Sequence, residues 1–279
     1  MSDKTPMYRE GSAAIESEIK RMTELEWPLE VSAELLPADL KQKTLGDVGA
    51  GPNPNLGKLV RFRGGKYVAL DSNLTMAKLQ VGSENRAVQG DVVALPFADK
   101  SLDILHTRFV IMNLPENLRV GAIKELFRCG KENIIMDYNW EKFTSSNPTV
   151  LDFVAHARRV AEFAGVDLDH GAKLEGLVQE TLLGIAVGVK IFNQGPIRNY
   201  STLVGLTKSM QGLIINLENI EKQRAGQEGR PVNEALLKEL DGIKITMEEC
   251  GKEFAKLATE PDESKVPTFT PPDIVAVTF

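Results

Sequence analysis

Between Lys43 and Trp140 short apolar runs alternate with helical ones, and this rhythm restricts the fold more than any other feature of the chain. "TLGDVG" reads as a strand, "NLGKLVRF" as a helix and "KYVALD" as a strand. "SNLTMAKLQ" follows as a helix, "RAVQGD" and "SLDILHT" as strands, "ENLRVGAIKELFRC" as a helix and "ENIIMDY" as a strand. Strands and helices in this order are built as right-handed crossovers onto a parallel sheet. The fold class expected is therefore α/β, a doubly wound, Rossmann-like sheet.

After Trp140 the rhythm stops. Residues 148–164 and 170–183 read as helices and "IAVGVKIF" as a sixth strand. Two long stripes follow, Leu203, Leu206, Met210, Leu213, Leu217, Ile220 and then Leu240, Ile243, Met247, Cys250, Phe254, Leu257. Their steps of three and four, with "AGQEGRP" between them, predict an antiparallel helical hairpin along an apolar seam. "DIVAVTF" closes the chain as a further strand. Ahead of the core, Ile15, Ile19 and Met22 recur at helical spacing, and Pro28 opens a second helical piece. The resulting division is an N-terminal helical cover over 1–42, a core over 43–140, cap helices and the sixth strand over 141–199, the hairpin over 200–259, and a last strand over 260–279.

Charge and composition narrow the function. At 279 residues with 42% hydrophobic side chains, the chain can bury a full core, and its net charge of −6 disfavours a nucleic-acid partner. The longest apolar run, "LLGIAVGV", is far shorter than a bilayer span, and the N-terminus lacks a signal peptide's apolar stretch. Cys129 and Cys250 stand apart without metal-ligand spacing, as free thiols in a reducing compartment would. A cytoplasmic protein with no bound metal is expected.

The first strand runs into Gly49-Ala50-Gly51-Pro52-Asn53-Pro54 before the next helix. A glycine turn between strand and helix is how doubly wound folds hold an adenosine-bearing cofactor at the carboxyl edge of the sheet. Asp71, followed by Ser72, ends the second strand, where a carboxylate can accept hydrogen bonds from both ribose hydroxyls. A nicotinamide dehydrogenase and a methyltransferase fit equally up to this point. Three details separate them. The third glycine of the dinucleotide fingerprint is missing. Asp47 lies inside the turn, where it repels a pyrophosphate but can receive an ammonium group through water. Asp91, after Gly90, ends the third strand within reach of an adenine amino group. Three carboxylates around one glycine turn suit a cationic ligand carrying ribose and adenine, and S-adenosylmethionine is that ligand.

"LGDVGAGPN", "YVALDSNLTM" and "RAVQGDVVALPFADKSLDILHTRFVIMNL" resemble the successive motifs of class I S-adenosylmethionine-dependent methyltransferases, nearest the ubiquinone/menaquinone-biosynthesis and small-molecule subgroup. The resemblance spans about residues 43–140. It implies that Asp47, Gly49 and Gly51 cradle the methionine part of S-adenosylmethionine, with Asn53 where the family often has glycine. It further implies that Asp71 holds the ribose, that Asp91 with Val92 holds the adenine, and that His106 lies beside the cofactor. Arg21 is its candidate for the cofactor carboxylate. The family's sheet has a sixth strand and an antiparallel seventh between strands five and six, which "IAVGVKIF" and "DIVAVTF" would supply. The 200–259 hairpin would then be inserted between strands six and seven, as a lid beside the substrate or as a homodimer interface.

Methyl transfer is an in-line displacement from an activated donor, so positioning and exclusion of water dominate. A base is needed only for an acceptor that arrives protonated. His106 and His156 are candidates for it, against a plain structural role; His170, beside Asp169 in a turn, reads as a cap or surface residue. Tyr138, Trp140 and Phe143 follow the fifth strand and read either as aromatic walls for a flat acceptor or as packing. Arg108 is a candidate for a substrate carboxylate or phosphate, Arg158-Arg159 read better as a solvated face, and Tyr8 is a candidate cover. No Asn-Pro-Pro-Tyr stretch follows the fourth strand, which points away from nucleic-acid bases and towards a small-molecule acceptor of the natural-product kind. The competing reading is a protein that binds the cofactor as a regulatory or binding subunit, or uses it in a reaction without methyl transfer.

Overall fold

The computed structural model describes residues 27–52, 54–79 and 86–279. The first predicted helix, Tyr8, Arg21 and Asn53 lie outside the described residues. Two compact units emerge: one holds Leu25–Lys142, Gly165–Asn193 and Pro272–Phe279, the other Phe143–Ala164 and Gln194–Pro271.

The first unit is built on a seven-stranded sheet of order β3-β2-β1-β4-β5-β9-β7. Its strands are β1 (Thr44–Val48), β2 (Lys66–Asp71), β3 (Arg86–Gln89), β4 (Leu102–Arg108), β5 (Gly130–Asn139), β7 (Gly188–Phe192) and β9 (Asp273–Thr278). β1 to β5 pair in parallel; β9 runs antiparallel to both β5 and β7. The last strand of the chain is thus interior to the sheet, and Ile274, Ala276 and Val277 are fully buried. The unit's helices are α1 (Trp27–Leu35), α2 (Asn55–Phe62), α3 (Leu74–Leu79), α4 (Glu116–Cys129) and α6 (Gly171–Thr181).

Residues two apart on a strand face opposite layers from their neighbours, and two cores follow. Leu45, Ile104, Met136 and Ile274 pack with Val31 of α1 and Leu56 and Val60 of α2. Val48, Leu105, Ile135 and Val277 pack with Ile123 and Leu126 of α4 and Leu174 and Val178 of α6. The Arg63 guanidinium donates to the carbonyls of Ala33, Leu36 and Pro37, tying the end of α1 to the end of α2. The loop from β3 to β4 is pinned in the same way. Arg128 donates to the carbonyls of Leu95 and Phe97, and Glu125 accepts the Leu95 amide at 2.8 Å.

The second unit holds α5 (Pro148–Ala164), α7 (Tyr200–Glu228), α8 (Glu234–Ala258) and a two-stranded ribbon of β6 (Thr144–Ser145) with β8 (Phe269–Thr270). Phe153, Tyr200 and Phe254 meet at its centre, with ring centroids 5.7 Å apart for Phe153–Phe254 and for Tyr200–Phe254. The hairpin's second stripe is buried as expected through Leu240, Ile243, Met247, Cys250 and Phe254. The first is displaced. Tyr200, Leu203, Thr207, Gly212, Ile214, Asn216, Glu221 and Ala225 are buried on α7, whereas Leu206, Met210, Leu213, Leu217 and Ile220 are half-buried. Polar residues at 207 and 221 hide this register from a reading of apolar spacing alone. Glu221 is tolerated because Arg230 grips it at 2.7 and 3.0 Å and the Asn233 amide at 2.8 Å. The span 141–199 does not form one cap: α5 belongs to the helical unit, while α6 and β7 belong to the sheet.

Removal of 273–279 deletes β9 from between two strands that have no other link in the sheet. The truncated chain is expected to lose its cooperative thermal transition; a soluble, cooperatively melting truncation would contradict this placement.

Candidate active site

The carboxyl ends of β1, β2, β3 and β4 meet at one edge. Asp47 and Asp71 sit at or next to the ends of β1 and β2, and Asp91 follows β3, so the three carboxylates come from three adjacent strands. The glycine turn is stitched to β2: the Gly49 and Ala50 amides donate to the Leu70 carbonyl, and the Gly51 amide donates to Asp71 Oδ2 at 3.0 Å. Gly49 adopts φ +69° and Gly51 φ +59°, the left-handed region that favours glycine. A Cβ on Gly49 would lie 2.2 Å from Val110 Cγ2, whereas one on Gly51 would meet nothing within 4 Å. Gly49 is fixed by packing; Gly51 faces open space.

Asp71 also accepts the Asn73 amide at 2.9 Å. Burial raises its carboxyl above the ordinary aspartate range, against the pull of the two amide hydrogen bonds, and the Asp47 charge adds to the rise. Ser72 is exposed next to it. Asp91 is exposed, its Oδ1 accepting the Val93 amide at 3.1 Å, and Val92 beside it is buried.

Asp47 is buried, and both of its oxygens are engaged. The Tyr67 hydroxyl donates to Oδ2 at 2.7 Å, and His106 Nδ1 donates to Oδ1 at 3.0 Å. The chain continues through His106 Nε2 to the Ser32 hydroxyl at 3.1 Å. Burial, then the Asp47 charge and its hydrogen bond, push the Tyr67 phenol well above its ordinary range, while the charges of Arg108 and Arg61 pull it down. His106 is 0% exposed and has a partner on each ring nitrogen. Its expected role as a base is corrected on that ground: it holds Asp47 in place. His156 lies on α5 of the helical unit with Nδ1 donating to the Asp152 carbonyl at 2.8 Å, a bond within its own helix.

Of the two readings of His170, the cap position holds and the surface one is corrected: it is buried, with Nδ1 2.7 Å from Asp137 Oδ2. Desolvation raises the Asp137 carboxyl, while the hydrogen bond to His170 lowers it. His170 stands at the N-cap of α6, and a Cβ on Gly171 would come within 2.8 Å of the Tyr138 carbonyl, so only glycine lets α6 start this close to β5.

Tyr138 is half-buried and stacked on Phe109, with ring centroids 3.9 Å apart and planes 7° from parallel. Phe109 has φ +58°, costly for a side chain with a Cβ and frequent where function holds the backbone. Nothing in its residue type marks it out in the sequence, only its position directly after a core strand. Trp140 is buried; Phe143 is buried in the helical unit, 5.9 Å from Phe269. Arg108 ends β4 and is only 7% exposed. Among the described residues no group of three His, Cys, Asp or Glu could hold a metal, and no helix is long and apolar enough to cross a membrane.

An α/β sheet of this order, with a glycine turn and carboxylates at the ends of its first strands, is the Rossmann-like methyltransferase fold. Residues 46–135 match the family model for a methyltransferase domain, and S-adenosylmethionine is the cofactor of that domain. No curated protein matches the chain. Solved structures similar in fold include the YcgJ protein of Bacillus subtilis, at 16% identity and TM-score 0.52 over 91% of this chain and 97% of that one. Another is a methyltransferase from an antibiotic biosynthesis pathway of Anabaena variabilis, at 13% identity and TM-score 0.57 over 93% and 99% of the two chains. A third is phosphoethanolamine N-methyltransferase 2 of Haemonchus contortus with S-adenosyl-L-methionine, at 11% identity and TM-score 0.52 over 94% of this chain and 56% of that one.

Gly49→Ala is expected to lower stability by roughly 1–3 kcal/mol for the backbone strain, with the clash added. In urea denaturation, Val110→Ala should recover only the clash part. Full recovery in the double variant, or no loss in the single, would show that Gly49 is not conformationally required.

Proposed function

We propose that the chain is an S-adenosylmethionine-dependent methyltransferase acting on a small-molecule acceptor of the natural-product kind. The observation that carries the reading is the trio Asp47, Asp71 and Asp91 around a glycine turn open at Gly51. Asp71 is suited to the two ribose hydroxyls: it is only half-buried at the edge, and each of its oxygens keeps a second lone pair beside the one that accepts an amide. Asp91 and Val92 offer an acceptor and an apolar surface to the adenine. Asp47, held between Tyr67 and His106, contributes a fixed negative charge near the ammonium and the sulfonium rather than a direct ligand. Gly49 and Gly51 give the methionine part its room. The antibiotic-pathway protein of Anabaena variabilis is consistent with a small-molecule acceptor, and no extended basic or Pro-Pro-Tyr feature suggests a base in nucleic acid. Tyr138 and Phe109 would line the acceptor side.

The bound cofactor supplies an activated methyl group; the chain's part is to orient it and to exclude water. Nothing in this reading needs a histidine base, in keeping with the burial of His106.

S-adenosylmethionine is expected to raise the melting temperature of the wild type, stabilising it by RT ln(1 + L/Kd) at free ligand concentration L and so further with each increase in concentration. Asp71→Ala should weaken its binding by about 1–3 kcal/mol, the usual range for hydrogen bonds to a charged group. Calorimetric titration that finds no binding by the wild type would refute the cofactor; equal affinity in the two proteins would refute Asp71 as the ribose partner. Label passing from methyl-labelled cofactor to a small acceptor would separate transfer from mere binding.

A further inference from the structure

The Ser32 hydroxyl on α1 has one proton and more than one place to put it. It lies 2.9 Å from the Pro28 carbonyl, 3.1 Å from His106 Nε2 and 3.5 Å from Met136 Sδ. Ser32 and His106 are both fully buried. The other side of the imidazole is fixed. Nδ1 donates to Asp47 Oδ1 at 3.0 Å, while Oδ2 accepts the Tyr67 hydroxyl at 2.7 Å. Burial holds the Tyr67 phenol protonated well above neutral pH, so Asp47 meets two donors and serves both as a carboxylate.

Two arrangements then satisfy every group. With a neutral imidazole, Nε2 accepts, and the Ser32 hydroxyl turns to donate to it. With an imidazolium, Nε2 donates, and the hydroxyl turns to give its proton to the Pro28 carbonyl. That carbonyl, four residues back on α1, is also the regular helical acceptor of the Ser32 amide, so the first arrangement leaves it partnered. A rotating hydroxyl thus serves both charge states of a buried histidine, where a fixed donor or acceptor would serve one. In the first state the Asp47 charge stands uncompensated below the glycine turn; in the second the imidazolium offsets it. Arg108 of β4 and Arg61 of α2 act on the Tyr67 phenol, and the Asp71 carboxyl of β2 feels Asp47. α1 and β5 bring the uncharged Ser32 and Met136.

We propose that His106 is a positioning residue that sets the preference of the site for a sulfonium over the neutral thioether left after methyl transfer, by taking up or releasing a proton against the Ser32 hydroxyl. S-adenosylmethionine and S-adenosylhomocysteine share ribose, adenine and amino-acid end, and differ by one methyl and one positive charge. A change of charge beneath the turn therefore acts on their ratio, whereas a loss of shape acts on both. The proposal rests on the methyltransferase reading and deepens it.

The test uses the full chain, wild type against His106→Asn and Ser32→Ala, with calorimetric titration of both compounds between about pH 5.5 and 7.5. In the wild type, the preference for S-adenosylmethionine should fall by about three- to tenfold from the upper to the lower pH. Its binding should release protons at the midpoint, read from buffers of different ionisation enthalpy, and that of S-adenosylhomocysteine should release fewer. The amide of His106→Asn keeps a donor for Asp47 but does not titrate, so its preference should stay high at every pH. In Ser32→Ala the imidazolium loses its acceptor, and the fall should move to lower pH. If His106→Asn does not fold, the ring signals of the three wild-type histidines decide in its place. One of them should titrate with a midpoint that S-adenosylmethionine lowers and S-adenosylhomocysteine does not. A preference that is flat with pH in the wild type, a fall in His106→Asn equal to that of the wild type, an unmoved fall in Ser32→Ala, or no such ring signal overturns the proposal alone. Absence of S-adenosylmethionine binding by the wild type at every pH overturns the methyltransferase reading with it.

Discussion

Asp47 is where the sheet and the site are joined. A buried carboxylate is tolerated only when its oxygens are hydrogen-bonded, and here Tyr67 from β2 and His106 from β4 do this, with Ser32 of α1 behind the imidazole. One side chain on β1 thereby locks together both neighbouring strands and the helix that covers them. The bonds are short and fully enclosed, so the negative charge is held at a fixed point below the glycine turn. A cationic ligand at that turn would meet a field already in place, with no reorganisation required.

The edge above this lock is shaped by backbone more than by side chains. Gly49 is pressed against Val110, the turn amides are bound to the end of β2, and Phe109 is held at a positive φ. Glu125 and Arg128 pin the loop that carries Asp91. Rigid elements on every side therefore present Asp71, Asp91 and the open side of Gly51 in constant geometry, as differential binding of a reacting ligand demands. Arg108, at the end of β4, is the exception in sign at this rim of acids.

The core of the fold was legible because its signal is local. Between 43 and 140 each strand and helix shows its own periodicity, and glycines and acids fall at the strand ends, so order, direction and edge could all be read. The antiparallel β9 became readable through the resemblance, since nothing in "DIVAVTF" alone says that it returns to the middle of the sheet. What escaped the sequence is contact between distant residues. Asp47 looked like a ligand group and His106 like a base, until folding brought them 3.0 Å apart and buried both. His170 looked like a turn residue because its partner, Asp137, lies in another element. On α7 the buried register runs through Thr207 and Glu221, and a polar side chain in a seam carries no hydrophobic signal. The strain at Phe109 is invisible in composition, since any residue type can be forced there by its neighbours.

The most direct test of the account is a crystal structure of the protein with S-adenosylhomocysteine, the demethylated form of the cofactor. The account predicts the ribose hydroxyls on the Asp71 carboxylate, the adenine beside Asp91 and Val92, and the homocysteine part over Gly49 and Gly51. A nucleoside bound elsewhere, or a phosphate-bearing ligand seated in that turn, would contradict it.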